Sequence, residues 1–311
     1  MNTNLSIGIP TYNQGIYLQE TIDSILRQTV LPDEIVISNN FSDDDLTEKI
    51  LGQYLDNKLF KILKPTEFLK MCSNWNFTAQ NCSSKFFTLI SSDDILEPNF
   101  VEEFINHRDS NCNFYRANFN IIDSKGNVIG KETLRSVPKV QKYPNNFLNQ
   151  LHGPKAAFPA FIINKKTFDE VGMYNENFNF FADWHLLLKL SSNTPFKHIN
   201  SITSNYRVSY RSNLNYDRTI NGGLDDIIFT LRYLYDTINN SNLKKYMFFL
   251  KLSIIVHMSS YIKILKDKDI DQREKIENFL TYTRTKIEKN SLIIKTYKLI
   301  LRVFELTLRI N

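Results

Sequence analysis

The chain has 311 residues, 42% of them hydrophobic and 23% charged, which is typical of a globular protein and excludes a disordered or collagen-like one. Its three cysteines, Cys72, Cys82 and Cys112, cannot all pair and have no metal-ligand spacing, so the sequence predicts a reducing, cytoplasmic compartment and no zinc site. The net charge is +5, and residues 222–311 hold 16 Lys and Arg against 10 Asp and Glu, so the basic character belongs to the C-terminal part.

The first 90 residues alternate between predicted strands and predicted helices. We expect strands at 5–9, 34–38, 60–63 and 86–90, and helices at 17–28, 46–55 and 75–81. This order predicts an α/β fold with a doubly wound, mostly parallel sheet and flanking helices. Because the carboxyl ends of parallel strands lie at one edge of a sheet, the polar loops 10–13, 38–40 and 91–94 should line one crevice.

Two adjacent carboxylates, Asp93 and Asp94, follow the strand at 86–90. Like charges so close together repel each other, and a divalent ion that carries a diphosphate would neutralise them. No GxGxxG or Walker A motif is present, so a glycine-rich loop does not cradle that diphosphate. The simpler alternative is a solvated turn that caps a helix, and we expect that helix to start at Ile95 with Pro98 in its first turn.

The middle of the chain predicts a hairpin at 114–131, followed by a polar, mobile loop at 132–152. A strand at 157–164, helices at 165–171 and 182–190, and short strands at 196–201 and 204–208 complete a domain that we assign to residues 1–221.

Residues 222–311 predict a helical C-terminal region, with segments near 224–239, 243–266, 271–289 and 291–308. The apolar run 246–258 is too short for a membrane span, which needs about 20 residues. Residues 290–311 are amphipathic and basic, so either they lie on an anionic membrane surface or they pack on neighbouring helices. A homo-oligomer through these helices is a further hypothesis. Only four residues precede the first strand, so we expect no signal peptide.

Several short motifs together resemble the family-2 inverting glycosyltransferases of the GT-A fold. In chain order they are SIGIPTYN at 6–13, YL at 17–18, SILRQ at 24–28, PDEIVI at 32–37, NWN at 74–76, SDD at 92–94 and ADW at 182–184. The resemblance covers residues 4–210 and leaves the C-terminal helices outside. It implies a nucleotide-diphosphate sugar as donor, with a UDP-sugar as first choice, and Mg²⁺ or Mn²⁺ as cofactor.

The resemblance also implies a role for each matching residue. Asp94 would hold the metal ion, Asp93 would face the nucleoside, and Asp183 would be the general base that takes a hydroxyl proton during an in-line displacement. The alternative for Asp183 is the N-cap of its helix. The implied nucleotide-binding residues are Pro10, Thr11, Tyr12, Asn13, Asn39 and Asn74, and the candidates for diphosphate contact are Arg207 and Arg211, whose alternative role is ordinary surface charge.

Three positions depart from the family pattern. Asn39 stands where the family usually has an aspartate that helps to read the base, and Ala182 replaces an acidic residue that often precedes the general base. Ser209 stands near the place of a histidine. We hypothesise that Asn39 changes the base preference. We also hypothesise that the missing histidine removes a third metal or phosphate ligand.

The sequence therefore predicts an enzyme that adds one sugar to a growing bacterial surface glycan, such as a lipopolysaccharide O-antigen or a capsule. We expect it at the inner face of the cytoplasmic membrane, where a polyprenyl-diphosphate-linked acceptor lies. A non-catalytic nucleotide-sugar or glycan-binding protein with a decayed site is the alternative, and the intact Asp93, Asp94 and Asp183 argue against it.

Two further classes are disfavoured. A nucleotidyltransferase would need a glycine-rich basic loop where this chain has Pro10–Asn13. A nucleic-acid partner is not expected, because the basic residues of the C-terminal part alternate with aliphatic ones rather than with exposed aromatic side chains.

Overall fold

The computed structural model describes residues 2–133, 139–151, 153–154, 156–179, 181–208, 223–246 and 250. Its strands are β1 (Leu5–Thr11), β2 (Glu34–Asn39), β3 (Phe60–Leu63), β4 (Phe86–Leu89), β5 (Ile95–Leu96), β6 (Phe114–Ile122), β7 (Val128–Glu132), β8 (Val140–Gln141), β9 (Phe161–Asn164) and β10 (Phe196–Arg207). Its helices are α1 (Gly15–Leu26), α2 (Asp45–Gly52), α3 (Met71–Asn81), α4 (Phe100–His107), α5 (Asn145–Leu148), α6 (Lys165–Glu170), α7 (Ala182–Asn193) and α8 (Leu224–Asn239), with 3-10 turns at Phe158–Ala160 and Lys244–Tyr246.

All the described strands belong to one sheet, in the order β3-β2-β1-β4-β9-β6-β10-β5, with β7 beside β6 and β8 beside β10. The pairs β2–β3, β1–β2, β1–β4 and β6–β10 are parallel, whereas β5, β7, β8 and β9 each pair antiparallel. The predicted α/β fold with a GT-A-type sheet is confirmed.

Helices cover both faces of this sheet, and so its central strands are buried along their length without alternation. All seven residues of β1 are buried. On one face, Ile7 and Ile35 belong to a core with residues of α1, α2 and α4. On the other face, Val36 and Phe87 belong to a core with residues of α3, α6 and α7. The two cores hold the carboxyl ends of β1, β2 and β4 side by side.

The structure corrects several predicted boundaries. Ile95 does not start a helix, because Ile95–Leu96 pairs antiparallel with β10, and the next helix starts only at Phe100. Residues 158–160 form a 3-10 turn, so the predicted strand at 157–164 is shortened to β9. The predicted irregular loop 132–152 contains β8 and α5 in its described part. The two strands predicted near the end of the domain are one strand, β10, with register shifts between Ile199 and Ser204.

The chain divides into two compact units, residues 1–226 and 227–311. The predicted domain boundary after residue 221 stays a prediction, since residues 209–222 lie outside the described part. In the second unit, the buried positions of α8 are Ile227, Ile228, Leu231, Leu234, Tyr235 and Ile238, a helical spacing. None of the described helices is both long enough and apolar enough to cross a membrane. The predicted helices beyond residue 250, including residues 290–311, lie outside the described residues.

Candidate active site

The loops after β1 and β2 lie next to each other, as their parallel pairing requires. Thr11 is paired with Asn39 in the sheet, and the N–H of Asn40 donates to the carbonyl of Thr11 at 3.0 Å. Asn13 closes the contact: its N–H donates to Ser42 Oγ at 3.0 Å, and its side-chain oxygen accepts the N–H of Asp43 at 2.9 Å. Two of the predicted nucleotide-binding residues, Thr11 and Asn13, thus hold one rim of the crevice.

Both loops contain strained backbone. Asn13 has φ +53° and Phe41 has φ +57°, in the left-handed region that residues with a side chain rarely adopt. Such residues persist where the surrounding structure fixes them, and they cluster at binding sites. The two hydrogen bonds of Asn13 hold its backbone in this conformation. They fix the crevice rim independently of any ligand.

Exposed aromatic side chains border the same rim. Tyr12, at the end of β1, is 40% exposed, and its ring meets that of Phe68 edge-on, with 5.1 Å between centroids. The ring of Phe41 has the Lys64 ammonium 4.8 Å from its centroid. Aromatic faces at a polar rim offer a stacking surface for a planar ring such as a nucleobase. The predicted position of Tyr12 in a base pocket agrees with this exposure.

Two predicted nucleotide ligands are buried and already bonded to protein groups. Asn39 donates from Nδ2 to Glu48 Oε1 at 2.8 Å, and its Oδ1 accepts the N–H of Ser42 at 3.0 Å. Asn74, at the start of α3, accepts the Ser38 hydroxyl at 2.6 Å. Their contacts with a nucleotide stay predictions, and the bonds seen here show that both asparagines brace the loop after β2.

The turn after β4 contains Asp93 and Asp94 in very different settings. Asp94 is 1% exposed; its Oδ1 accepts the N–H of Arg207 at 2.8 Å, whereas its Oδ2 is buried without a hydrogen-bond partner. Burial, followed by the charge of Asp93, raises the pKa of Asp94 well above its ordinary value. Asp93 accepts the Ser91 hydroxyl at 2.5 Å. The backbone of the turn is held by α1, because the Thr21 hydroxyl donates to the Asp94 carbonyl at 2.8 Å.

The buried Oδ2 of Asp94 is suited to a cation. An unpaired carboxylate oxygen in a dry site is costly, and a hard divalent ion prefers such an oxygen as a ligand. No group of three or more His, Cys, Asp or Glu side chains among the described residues forms a complete metal site. Asp94 would supply one ligand to a bound ion through this oxygen.

Arg207, at the end of β10, is buried and bonded to protein groups, whereas a contact with diphosphate requires an accessible guanidinium. Its side chain is 1% exposed. The guanidinium donates to the carbonyls of Asp93 (2.6 Å), Asp123 (3.1 Å) and Ser124 (3.3 Å) and to Glu20 Oε2 (2.6 Å). It also lies over the ring of Tyr17, with its carbon 4.6 Å from the centroid. Arg207 thus supports the aspartate turn, and a diphosphate contact stays a prediction. Arg211 and Ser209 lie outside the described residues.

Asp183 lies in the first turn of α7, and Phe181 occupies the N-cap position. The Asp183 side chain is half-buried, and its Oδ1 accepts the N–H of Trp184 at 2.7 Å. Burial raises the pKa of Asp183 from 3.8 to about 6. A carboxylate with such a pKa is still ionised at neutral pH and is a better proton acceptor than an ordinary aspartate. Both the position and the pKa agree with the predicted general base.

Tyr206 of β10 is a site residue that the sequence motifs did not indicate, apart from its place before Arg207. The pKa of its hydroxyl is raised by burial and by the charges of three carboxylates, Asp94, Asp183 and Asp93. The aspartate turn and the start of α7 are therefore both near Tyr206, although they are about 90 residues apart in the sequence. As a whole residue, Tyr206 is 39% exposed.

Comparison with known proteins agrees with this geometry. The family described as "Glycosyl transferase family 2" matches residues 6–172. An uncharacterized glycosyltransferase of Rickettsia conorii is 32% identical over 65% of this chain and 33% of its own length. Chondroitin synthase of Pasteurella multocida is 28% identical over 87% of this chain and 28% of its own length. The chain thus spans about a third or less of these two relatives.

Among solved structures, that of S. aureus TarS 1–349 in complex with UDP superposes with a TM-score of 0.64, over 90% of this chain and 80% of that one. The two sequences are 15% identical, so this likeness bears on the fold alone.

Proposed function

This chain belongs to glycosyl transferase family 2, and we propose that it transfers one sugar from a nucleotide-diphosphate sugar to a hydroxyl group of a glycan, with inversion at the anomeric carbon. One observation carries the proposal: Asp94, Asp183 and Asp93 all lie near enough to Tyr206 for their charges to add to burial in raising the pKa of its hydroxyl. Asp93 and Asp94 follow β4, and Asp183 lies in the first turn of α7. We assign the two aspartates after β4 to the donor side and Asp183 to the acceptor side.

On the acceptor side, Asp183 is the general base. Its Oδ1 is held by the Trp184 N–H, which fixes the carboxylate relative to α7. As the acceptor oxygen bonds to the anomeric carbon, its proton passes to Asp183, and the bond from that carbon to the diphosphate oxygen breaks on the opposite face. A single displacement of this kind inverts the configuration and needs no covalent enzyme intermediate.

On the donor side, the leaving diphosphate gains negative charge beside two carboxylates, so a cation is required there. Asp94 would hold Mg²⁺ or Mn²⁺ through its unpaired Oδ2, and the ion would offset the charge of the departing group. Tyr206 stays protonated at neutral pH, because its pKa is raised. Its hydroxyl can therefore donate a hydrogen bond to an oxygen of the sugar or the phosphate.

For the donor, we favour a UDP-sugar. TarS, which shares the fold, forms complexes with UDP and UDP-GlcNAc. The aromatic rim of Tyr12 and Phe68 would stack on the base. Asn39 presents an amide where the family usually has aspartate, and that amide is already bonded to Glu48 and Ser42. We therefore expect weaker selection between bases than a free aspartate would give.

For the acceptor, we propose a bacterial surface glycan, a lipopolysaccharide O-antigen or a capsule, attached to a polyprenyl diphosphate. The similarity to chondroitin synthase and hyaluronan synthase of Pasteurella multocida supports a polysaccharide product. The basic segment 290–311 would hold the enzyme on the anionic inner face of the membrane. Deleting these residues should abolish sedimentation with anionic vesicles, and unchanged sedimentation would refute this attachment.

The first experiment is a thermal shift panel of UDP, GDP, CMP and dTDP with and without Mn²⁺. A ligand that binds the folded state alone raises its stability by mass action, so we expect a Mn²⁺-dependent shift with UDP. Sugar transfer from UDP-sugars is then followed by product NMR, which reports the anomeric configuration. Asp183→Asn should bind UDP and transfer nothing. If no nucleotide shifts the transition, or if Asp183→Asn is fully active, a non-catalytic binding protein becomes the better explanation.

A further inference from the structure

The loop that leads into α7 is anchored to α3. Asn76 of α3 holds it twice: its Nδ2 donates to the carbonyl of Tyr174, and its Oδ1 accepts the N–H of Tyr174, both at 3.0 Å. The Cys72 thiol of the same helix donates to the carbonyl of Phe178 at 3.3 Å. These contacts fix the loop up to residue 178 but do not reach the N-cap of α7.

A carboxylate from elsewhere in the chain fixes the remaining part. Oδ2 of Asp226, in the first turn of α8, accepts the backbone N–H of Asn179 at 2.9 Å and that of Phe181 at 3.1 Å. Asp226 is 2% exposed. Phe181 is the N-cap residue of α7, and Asp183 is the second residue of that helix. The two bonds therefore end two residues before the proposed general base.

The chemistry of this contact makes it a strong one. Hydrogen bonds from backbone N–H groups to an ionised carboxylate are about twice as strong as those between neutral groups. Two of them on one oxygen fix both the position and the direction of the chain that enters α7. A negative charge close to the N-terminus of a helix is also favourable to that helix. Burial, followed by the charges of Asp226 and Asp183, raises the pKa of the Cys72 thiol to about 12, which agrees with the closeness of both carboxylates to this thiol.

We infer that Asp226 is a positioning residue for the general base, since it sets the start of α7 and hence the place of the Asp183 carboxylate relative to the acceptor hydroxyl. This inference rests on the proposed function. Proton transfer to a base is sensitive to distance, and a misplacement of about 1 Å can slow an enzyme about 100-fold. Asp226 lies beyond the residues that match the family, so the sequence motifs gave no indication of it.

The test compares Asp226→Ala and Asp226→Asn in the full chain, with Asp225→Asn as the matched control. Asp225 is an exposed acidic residue in the same turn of α8. Alanine removes the acceptor, whereas asparagine keeps one oxygen that can accept both N–H groups. We expect kcat to fall about 10- to 100-fold in Asp226→Ala and to recover most of its value in Asp226→Asn. The KM for the donor and the Kd for UDP should stay unchanged, because the nucleotide rim belongs to β1 and β2.

Hydrogen exchange gives a readout that needs no activity. The amides of residues 174–184 should exchange faster in Asp226→Ala than in the wild type and in Asp225→Asn, and exchange in β1 and β2 should not change. Unchanged exchange at 174–184, or an unchanged kcat despite faster exchange, would overturn the inference. So would an equal loss of UDP binding and kcat, which indicates general damage. If the wild type itself transfers no sugar, the proposed function fails, and the exchange result alone decides whether Asp226 holds the start of α7.

Discussion

Replacing Asp183 by asparagine should stabilise the protein while it abolishes sugar transfer. Burial raises the pKa of Asp183 from 3.8 to about 6, so the folded state prefers the protonated form. The ionised carboxylate present above pH 6 therefore destabilises the fold. The difference between the two pKa values corresponds to about 3 kcal/mol. Asparagine resembles the neutral acid and keeps an oxygen for the Trp184 N–H, so Asp183→Asn should gain about that amount at pH 8.

The gain should depend on pH in a defined direction. Between pH 6 and pH 3.8 the folded wild type binds more protons than the unfolded chain, so the wild type becomes more stable, relative to the variant, as the pH falls. We expect the difference to shrink to about 1.5 kcal/mol at pH 5. Urea denaturation of both proteins at pH 8, 6.5 and 5 measures it. Asp56→Asn, at an exposed position, is the control and should show no such trend.

Two results would refute this explanation. Asp183→Asn could be no more stable than the wild type at pH 8, which would mean that the carboxylate is well solvated in the folded state. Alternatively, the gain could be constant between pH 8 and pH 5, which would assign it to packing rather than to ionisation. In the wild type, kcat/KM for transfer should fall as the pH drops below about 6, because the base must be ionised to accept a proton.

Three other substitutions test the remaining parts of the site. Arg207→Lys should lower the free energy of unfolding by about 2–4 kcal/mol in urea denaturation, because lysine cannot replace the four donor contacts of the guanidinium. Asp94→Asn should remove the Mn²⁺-dependent part of the UDP thermal shift and leave the metal-independent part, because the amide is a poor ligand for the ion. Tyr206→Phe should slow transfer about 10-fold or more in a kinetic assay while the melting temperature stays constant, because the ring keeps its contact with Phe119 and only the hydroxyl is lost.

Each of these expectations has a contradicting result. Arg27→Lys, at the exposed C-cap of α1, is the control for Arg207→Lys; if both variants have wild-type stability, Arg207 does not brace the turn. A Mn²⁺-dependent shift that survives in Asp94→Asn would place the ion elsewhere. Full transfer activity in Tyr206→Phe would mean that the hydroxyl makes no bond in the transition state.

The crevice itself was predictable from the sequence, because it follows from rules of parallel sheets. Strand order and polar strand ends placed the loops after β1, β2 and β4 together, and their pairing confirms this placement. The family motifs added Asp183, which no local pattern connects to Asp94. The link between them depends on β10, where Tyr206 and Arg207 lie beside the aspartate turn.

Other features could not be predicted because long-range pairing overrode the local signals. The run Ile95–Pro98 has an apolar start and a proline suited to a first helical turn, yet Ile95 and Leu96 pair with Asn205 and Ser204. Arg207 was interpreted from its charge as a ligand for phosphate, whereas its burial depends on Glu20, 187 positions away. Asp226 gave no signal, because its partners are backbone N–H groups that any sequence possesses.

The long-range hydrogen bonds of Arg207 affect the order in which parts of the protein can fold during synthesis. Its guanidinium bonds to residues 187, 114 and 83 positions earlier in the chain, and its backbone N–H donates to Oδ1 of Asp94. During synthesis the ribosome makes the whole aspartate turn long before it makes residue 207. A nascent chain can therefore form β1–β4, whose contacts are more local, before the crevice attains its final shape. A truncated product that ends before β10 would have the aspartates without their support, so incomplete chains should lack a finished donor site.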